Sequence, residues 1–178
     1  MVDIETLASR HDAMVLSIGA VKIDPVKMEL GETFYAVLPL KEQQRAGRYI
    51  DERTVRWWAM QTYDAQQVLR DKQTPYADLR NTLHAFNRYY GDSTGLWGNG
   101  VDFDNVILRH LFEQFDVDPA WSYRHNRCFR TMRALWPTRL EREGVHHNAL
   151  DDAIYQAKCL LAMPAYHTAA LNFGGREA

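Results

Sequence analysis

Residues 144–158 read GVHHNALDDAIYQAK. Two adjacent histidines, His146 and His147, precede an apolar segment that carries two adjacent aspartates, Asp151 and Asp152. Asn148 or His147 starts a helix here, and Pro164 stops it. Consecutive helical residues diverge by about 100° around the axis, so Asp151 and Asp152 cannot both face one site. His147 lies just outside the helix and Asp152 falls within its first turn or so. A histidine there can approach the same point as an inward-facing Asp152. Alone, the segment reads equally well as an acidic helix start beside a surface histidine.

Working outward, the first 40 residues look like β-structure. MVDIET alternates apolar and acidic residues, residues 14–23 are rich in Val, Ile and Leu, and LGETFYAVL follows the turn-like DPVKME. Three strands on short connections imply an antiparallel meander. From residue 51 the pattern turns helical: DERTVRWWAMQ, DAQQVLRDK, PYADLRNTLHAFNRYYG, FDNVILRHLFEQF, CFRTMRALW and finally NALDDAIYQAKCLLAM. In the third of these, Leu79, Leu83, Phe86 and Tyr90 share one helical face. GLWG at 95–98 reads as a short strand, and 39–50 and 117–127 read as loops. This order predicts a single α/β domain, a mixed β-sheet flanked by helices.

Composition excludes some functions. The 178 residues carry a formal charge of −2, which gives no global footprint for coating nucleic acid but leaves room for gripping a strand end with few phosphate contacts. Cys128 and Cys159 have neither a CxxC nor a zinc spacing and read as reduced thiols. No targeting signal and no apolar run of membrane-spanning length is visible, so a soluble, cytoplasmic protein with no membrane partner is expected.

Three further carboxylates matter. Asp3 and Glu5 sit at i and i+2 of the first strand and point to one face. Burying that pair costs several kcal/mol unless a cation lies between them; a solvent-facing edge strand would explain them without chemistry. Asp104 opens a helix in WGNGVDFDNVIL, where the helix dipole alone favours an acid. Separately each is weak. Jointly, D-x-E on an early strand, FD before a middle helix and H-x4-D at the last helix supply four carboxylates and a histidine from three elements. That set suits two hard divalent cations clamping a phosphodiester, with the histidine taking a proton from water.

These three blocks resemble the DEDDh 3′-5′ exonucleases, the DnaQ-like branch of the ribonuclease H-like superfamily, and most nearly its small phage DexA-type and bacterial exoribonuclease branch. The resemblance runs from DIET through FDNVIL to HNALDDA, about residues 1–163, leaving 164–178 as a C-terminal tail. It implies a ribonuclease H-like fold, and Asp3, Glu5, Asp104 and Asp152 as metal ligands. It implies His147 as general base and Thr6 as a contact to the terminal nucleotide. It further implies two Mg²⁺ ions, replaceable by Mn²⁺, and release of nucleoside 5′-monophosphates from single-stranded or 3′-overhang RNA or DNA. A homodimer is common among such proteins. Two departures stand out. The middle block has one residue more than usual between Asn99 and the Phe-Asp pair. Only two residues precede Asp3, so the first strand is expected to be short and prone to fray. The competing reading is an inactive module of the same fold that binds nucleic acid or a protein; the complete acid set argues against it.

For substrate contacts, Trp57 and Trp58 follow Arg53 and Arg56, and one of the two rings should enter the core. Trp58 is the candidate for base stacking. Arg124, Arg127, Arg130, Arg133, Arg139 and Arg142 form the concentrated basic region before His147, with Arg130 the candidate for the strand backbone.

Overall fold

β1 (Val2–Thr6), β2 (Val15–Asp24) and β3 (Glu29–Val37) form the expected meander, with β2 in the middle and both pairings antiparallel. The structure, a computed structural model, describes residues 1–70 and 76–167. The first seven residues of β2 are buried in succession, as a strand covered on both faces requires. Alternation in β1 divides its side chains. Val2 and Ile4 enter a core with Ile18, Phe34, Leu83, Phe86, Leu108 and Phe112, and Asp3 and Glu5 face the opposite way. β1 is bonded to β2 up to its first residues: the Met1 ammonium donates to the Val21 carbonyl at 2.8 Å, and the Val21 N–H donates to the Met1 carbonyl at 2.9 Å.

Beyond β1 lie β4 (Leu96–Gly98) and β5 (Asn126–Cys128), which pair in parallel. A parallel pair needs a crossover. Here a π-helical turn, Val101–Asn105, leads into α5 (Val106–Gln114) to supply it. α2 (Glu52–Ala59), α3 (Gln67–Arg70), α4 (Leu79–Tyr90), α6 (Phe129–Leu135) and α7 (Ala149–Leu161) match the helical segments read from the pattern. α4 starts from Asp78, whose carboxylate accepts from the Asn81 N–H at 2.7 Å; the expected start at Pro75, and the end of the segment before it, lie outside the described residues. Helices thus flank a small sheet in a mixed α/β domain.

Two expected loops contain structure. Within 39–50, α1 (Leu40–Arg45) forms because the Gln43 amide is wholly buried. It bonds both polar groups of the Val15 backbone, at 2.8 and 2.7 Å, as a neighbouring strand would. Within 117–127, a 3₁₀ turn at Tyr123–His125 precedes β5, whose polar NRC sequence gives no alternation signal. Of the tail at 164–178, residues 168–178 lie outside the described residues; Tyr166 is buried with Leu160 and Met163. No helix is long and apolar enough to cross a membrane among the described residues.

The contact that positions the site is at Gly19. A Cβ there would lie 2.1 Å from the Ala149 carbonyl carbon and 2.2 Å from the Leu150 nitrogen. The first turn of α7 therefore rests directly on the β2 backbone, which only glycine permits. Gly19 is also the cross-strand partner of Asp3. One missing side chain thereby brings the last helix against the first strand.

Candidate active site

Asp3, Glu5, Asp104 and Asp152 are each 8% exposed or less, and all four line one cleft of ≈ 320 Å³ with His146, His147, Arg130, Arg133 and Arg142. Carboxylate oxygens of Asp3, Glu5 and Asp152 lie within 4.8 Å of one another, and so do ligand atoms of His146, His147 and Asp152. Asp104 belongs to neither close group. Its Oδ1 accepts from the Ile4 N–H at 3.3 Å, behind the strand residue between Asp3 and Glu5. Gln156, one helical turn after Asp152, donates to Asp3 Oδ1 at 2.7 Å.

The middle block owes its place to two features. A Cβ on Gly98 would meet Asn105 Oδ1 at 2.2 Å and the Asp104 Cβ at 3.0 Å, so glycine lets both residues tuck beneath β4. Asn105, fully buried, donates to the Leu96 carbonyl and to Asn126 Oδ1, both at 3.0 Å, tying the turn to β4 and β5. The turn is π-helical, and a π-turn holds one residue more than an α-turn. The extra residue between Asn99 and the Phe-Asp pair fits there without displacing Asp104.

The third block is held by its own doubled residues. Asn148 caps α7, accepting from the Leu150 and Asp151 N–H groups at 3.1 and 3.2 Å. Asp152 Oδ2 accepts from the His147 N–H at 3.1 Å. Asp151 turns away from the cleft and is not idle: its Oδ2 accepts from the Val145 N–H at 2.7 Å and clasps the loop that carries both histidines. The loop bends through left-handed backbone at Gly144 (φ 78) and His147 (φ 66). The His147 ring is fixed by packing. It stacks on His146 at 3.8 Å between centroids and meets the Trp57 ring edge-on at 4.7 Å.

The electrostatics follow from burial. Burial, then Asp104 and Glu5, push the Asp3 carboxyl well above its usual range. Burial and Asp104 push Glu5 up to about 8, and burial raises Asp104 to about 7 against opposing backbone bonds from Ile4 and Asn99. Burial lowers His147 to about 4, helped by His146 and Arg142. The cleft thus pairs a neutral histidine with carboxyl groups reluctant to ionise without a cation. An all-oxygen set of this kind fits a hard divalent metal, which would displace those protons.

One outcome isolates this effect. A carboxyl whose folded pKa is raised contributes stability that is fully present below its unfolded pKa and is lost as pH rises through the folded value. Glu5→Gln should therefore raise the melting temperature of the metal-free protein at pH 8 by about 5 °C or more, with little gain at pH 4. Equal gains at both pH values in thermal denaturation would contradict it.

The remaining sequence candidates separate. Trp58 is 1% exposed, and its indole N–H donates to the Thr6 carbonyl at 2.9 Å; it is core and presents no face to a base. The exposed ring of the pair is Trp57, beside His147. The Thr6 hydroxyl donates to the Ala8 carbonyl at 2.6 Å, and Thr6 does not line the cleft. Of the six basic residues, Arg130, Arg133 and Arg142 reach the cleft. Arg124 lies over the Tyr123 ring, and Arg127 donates to the Arg124 carbonyl. A larger cleft of ≈ 640 Å³ lies along β2, β3 and α4; there Lys22 is matched by Glu32 at 3.1 Å, and no comparable acid cluster forms among the described residues.

The sequence reading missed Gly19, Gln156 and the clasp at Asp151. An isolated glycine in an apolar strand signals close backbone approach, and Gln156 stands at i+4 from Asp152, so both had a signal. The clasp had none, since it depends on the path of the 144–147 loop.

The fold is a mixed α/β domain, and its buried acids and neighbouring histidines form groups that could hold a metal ion. The chain belongs to the family described as the 3′-5′ exoribonuclease Rv2179c-like domain, which it matches over residues 1–163. It is an enzyme of phosphodiester hydrolysis, and nucleic acid is its substrate. No curated protein and no solved structure matches it.

Proposed function

We propose that the protein is a metal-dependent exoribonuclease of the DEDDh type that removes nucleoside 5′-monophosphates from the 3′ ends of single-stranded or overhanging RNA. The observation that carries this reading is the meeting of Asp3, Glu5, Asp104 and Asp152, from three separate elements, in the cleft that His147 borders. Asp3, Glu5 and Asp152 would hold the first divalent ion, and Asp104 with Asp3 would help hold the second. Mg²⁺ is the expected ion, and Mn²⁺ its substitute. Such ions, when bound, polarise the phosphoryl oxygens and lower the pKa of water.

The protein's own groups do the rest. Neutral His147 accepts the proton of the attacking water at a ring nitrogen. Gln156 orients Asp3 through its 2.7 Å bond. Arg130 and Arg133 attract the backbone phosphates at the rim, and Trp57 offers its exposed face to a base. The Thr6 hydroxyl can meet a terminal nucleotide only after leaving the Ala8 carbonyl.

The test uses 5′-labelled and 3′-labelled oligoribonucleotides with and without Mg²⁺. Stepwise shortening of the 5′-labelled strand, dependent on Mg²⁺ and lost in Asp152→Asn, is expected. Binding without shortening in the presence of Mg²⁺ would instead support a module that only recognises nucleic acid.

A further inference from the structure

The acid cluster already contains one cation. The Arg142 guanidinium forms an ion pair with Asp152 Oδ1 in the cleft that Asp3 and Glu5 also line, and the two side chains are 30% and 11% exposed. Its charge also favours the ionised forms of Asp3 and Glu5. One feature leaves this arginine loosely seated. Its buried Nε and Nη2, and the Asp152 Oδ1 it faces, have no hydrogen-bond partner among the described residues, so the pair is held by charge and not by hydrogen bonds. Its carbon atom lies 4.7 Å over the Tyr155 ring, a cation–π contact that is the other interaction holding the guanidinium. The backbone beside it is anchored independently, because Glu143 pairs with Lys158 at 2.5 Å and the Val145 N–H is held by Asp151. Withdrawal of Arg142 therefore needs side-chain movement alone.

We propose that Arg142 is an exchangeable internal cation. It pairs with the Asp152 carboxylate beside Asp3 and Glu5 in the metal-free protein and vacates Asp152 when a divalent metal binds. A guanidinium and a metal ion drawn to the same carboxylate repel each other strongly in a buried site. Arg142 therefore competes with the metal and lowers its apparent affinity, while keeping the empty site folded. The inference rests on the metal-binding reading above.

The test is calorimetric titration of the metal-stripped full chain with Mn²⁺ at pH 7.5. Arg142→Gln should bind Mn²⁺ about tenfold more tightly than the wild type, and Arg142→Lys, which keeps the charge, should stay closer to the wild type. The metal-free Arg142→Gln protein should melt below the wild type and gain more from added metal. Equal or weaker Mn²⁺ binding by Arg142→Gln overturns the proposal and leaves the metal site standing; absence of Mn²⁺ binding in all three proteins overturns the metal reading itself. In the wild type, the Arg142 Nε–H resonance should shift on saturation with Mg²⁺. An unmoved resonance in a protein that binds Mg²⁺ also overturns the exchange, and this arm does not depend on a variant folding.

Discussion

Replacing His147 by alanine is expected to slow single-turnover cleavage of a 5′-labelled oligoribonucleotide about 10²- to 10⁴-fold, the range for loss of a positioned general base. Mn²⁺ affinity should change much less, because the Asp3, Glu5 and Asp152 oxygens remain. Alanine is a clean replacement in one respect. It carries a Cβ, so the cost of the left-handed backbone at φ 66 is the same in both proteins. His146→Ala is the control: it removes the ring stacked on His147 and should cost far less. Should His146→Ala prove the more damaging change, the roles of the two histidines are reversed. The pH dependence has a definite sign. With His147 lowered to about 4, its base form is already present at pH 6. The acid limb of the rate profile should therefore reflect protons competing with metal for Glu5 and Asp104, raised to about 8 and 7, and should move to lower pH as metal concentration rises. A limb fixed near 6.5 at every metal concentration would contradict this.

The second large effect lies away from the chemistry. Gly19→Val should destabilise the protein by about 3 kcal/mol or more, since overpacking here cannot be relieved by a rotamer change. The obstructing atoms are the Ala149 and Leu150 backbone, 2.1 and 2.2 Å from the added Cβ, not the tip of a flexible side chain. α7 would have to lift from β2, taking Asp152 from Asp3 and Glu5 together with the His147 loop. Chemical denaturation should show a lower midpoint, and whatever folded protein remains should have weakened Mn²⁺ binding. By contrast Gly31→Val, on the neighbouring strand, meets the Lys22 Cβ at 3.5 Å and the Lys22 carbonyl oxygen at 3.9 Å, both ordinary contacts, and should be mild. Similar losses in both would mean that strand propensity, not the helix contact, makes Gly19 necessary.

Much of the architecture was readable because its signals are local. The meander shows in the apolar–acid alternation of residues 1–6 and in the segments 14–23 and 30–38, each within a residue of the observed strand, and α4, α5 and α7 show in their periodicity. The acids were readable as a set because each block has a local pattern, D-x-E, FD or H-x4-D. What escaped depends on tertiary contacts. The Gln43 amide makes a helix of an apparent loop by bonding a strand distant in sequence. β5 is a strand only because β4 pairs with it. The choice between Trp57 and Trp58 turns on how α2 rotates over the core, and two adjacent identical residues carry no information on that. Arg142 was visible as one of six arginines, but its ion pair with Asp152 follows from where the 136–147 segment runs.

The left-handed bend at His147 has an evolutionary consequence. The position proposed to need an imidazole is one at which most side chains cost about 1 kcal/mol or more, asparagine costs less and glycine meets no steric penalty. Selection for stability alone would favour glycine or asparagine there, and selection for turnover must oppose it at every generation. The same holds for the buried acids of β1, whose neutral isosteres would settle more easily into the fold. A lineage released from the need to cut RNA should therefore lose His147 and Glu5 early and become more robust by doing so.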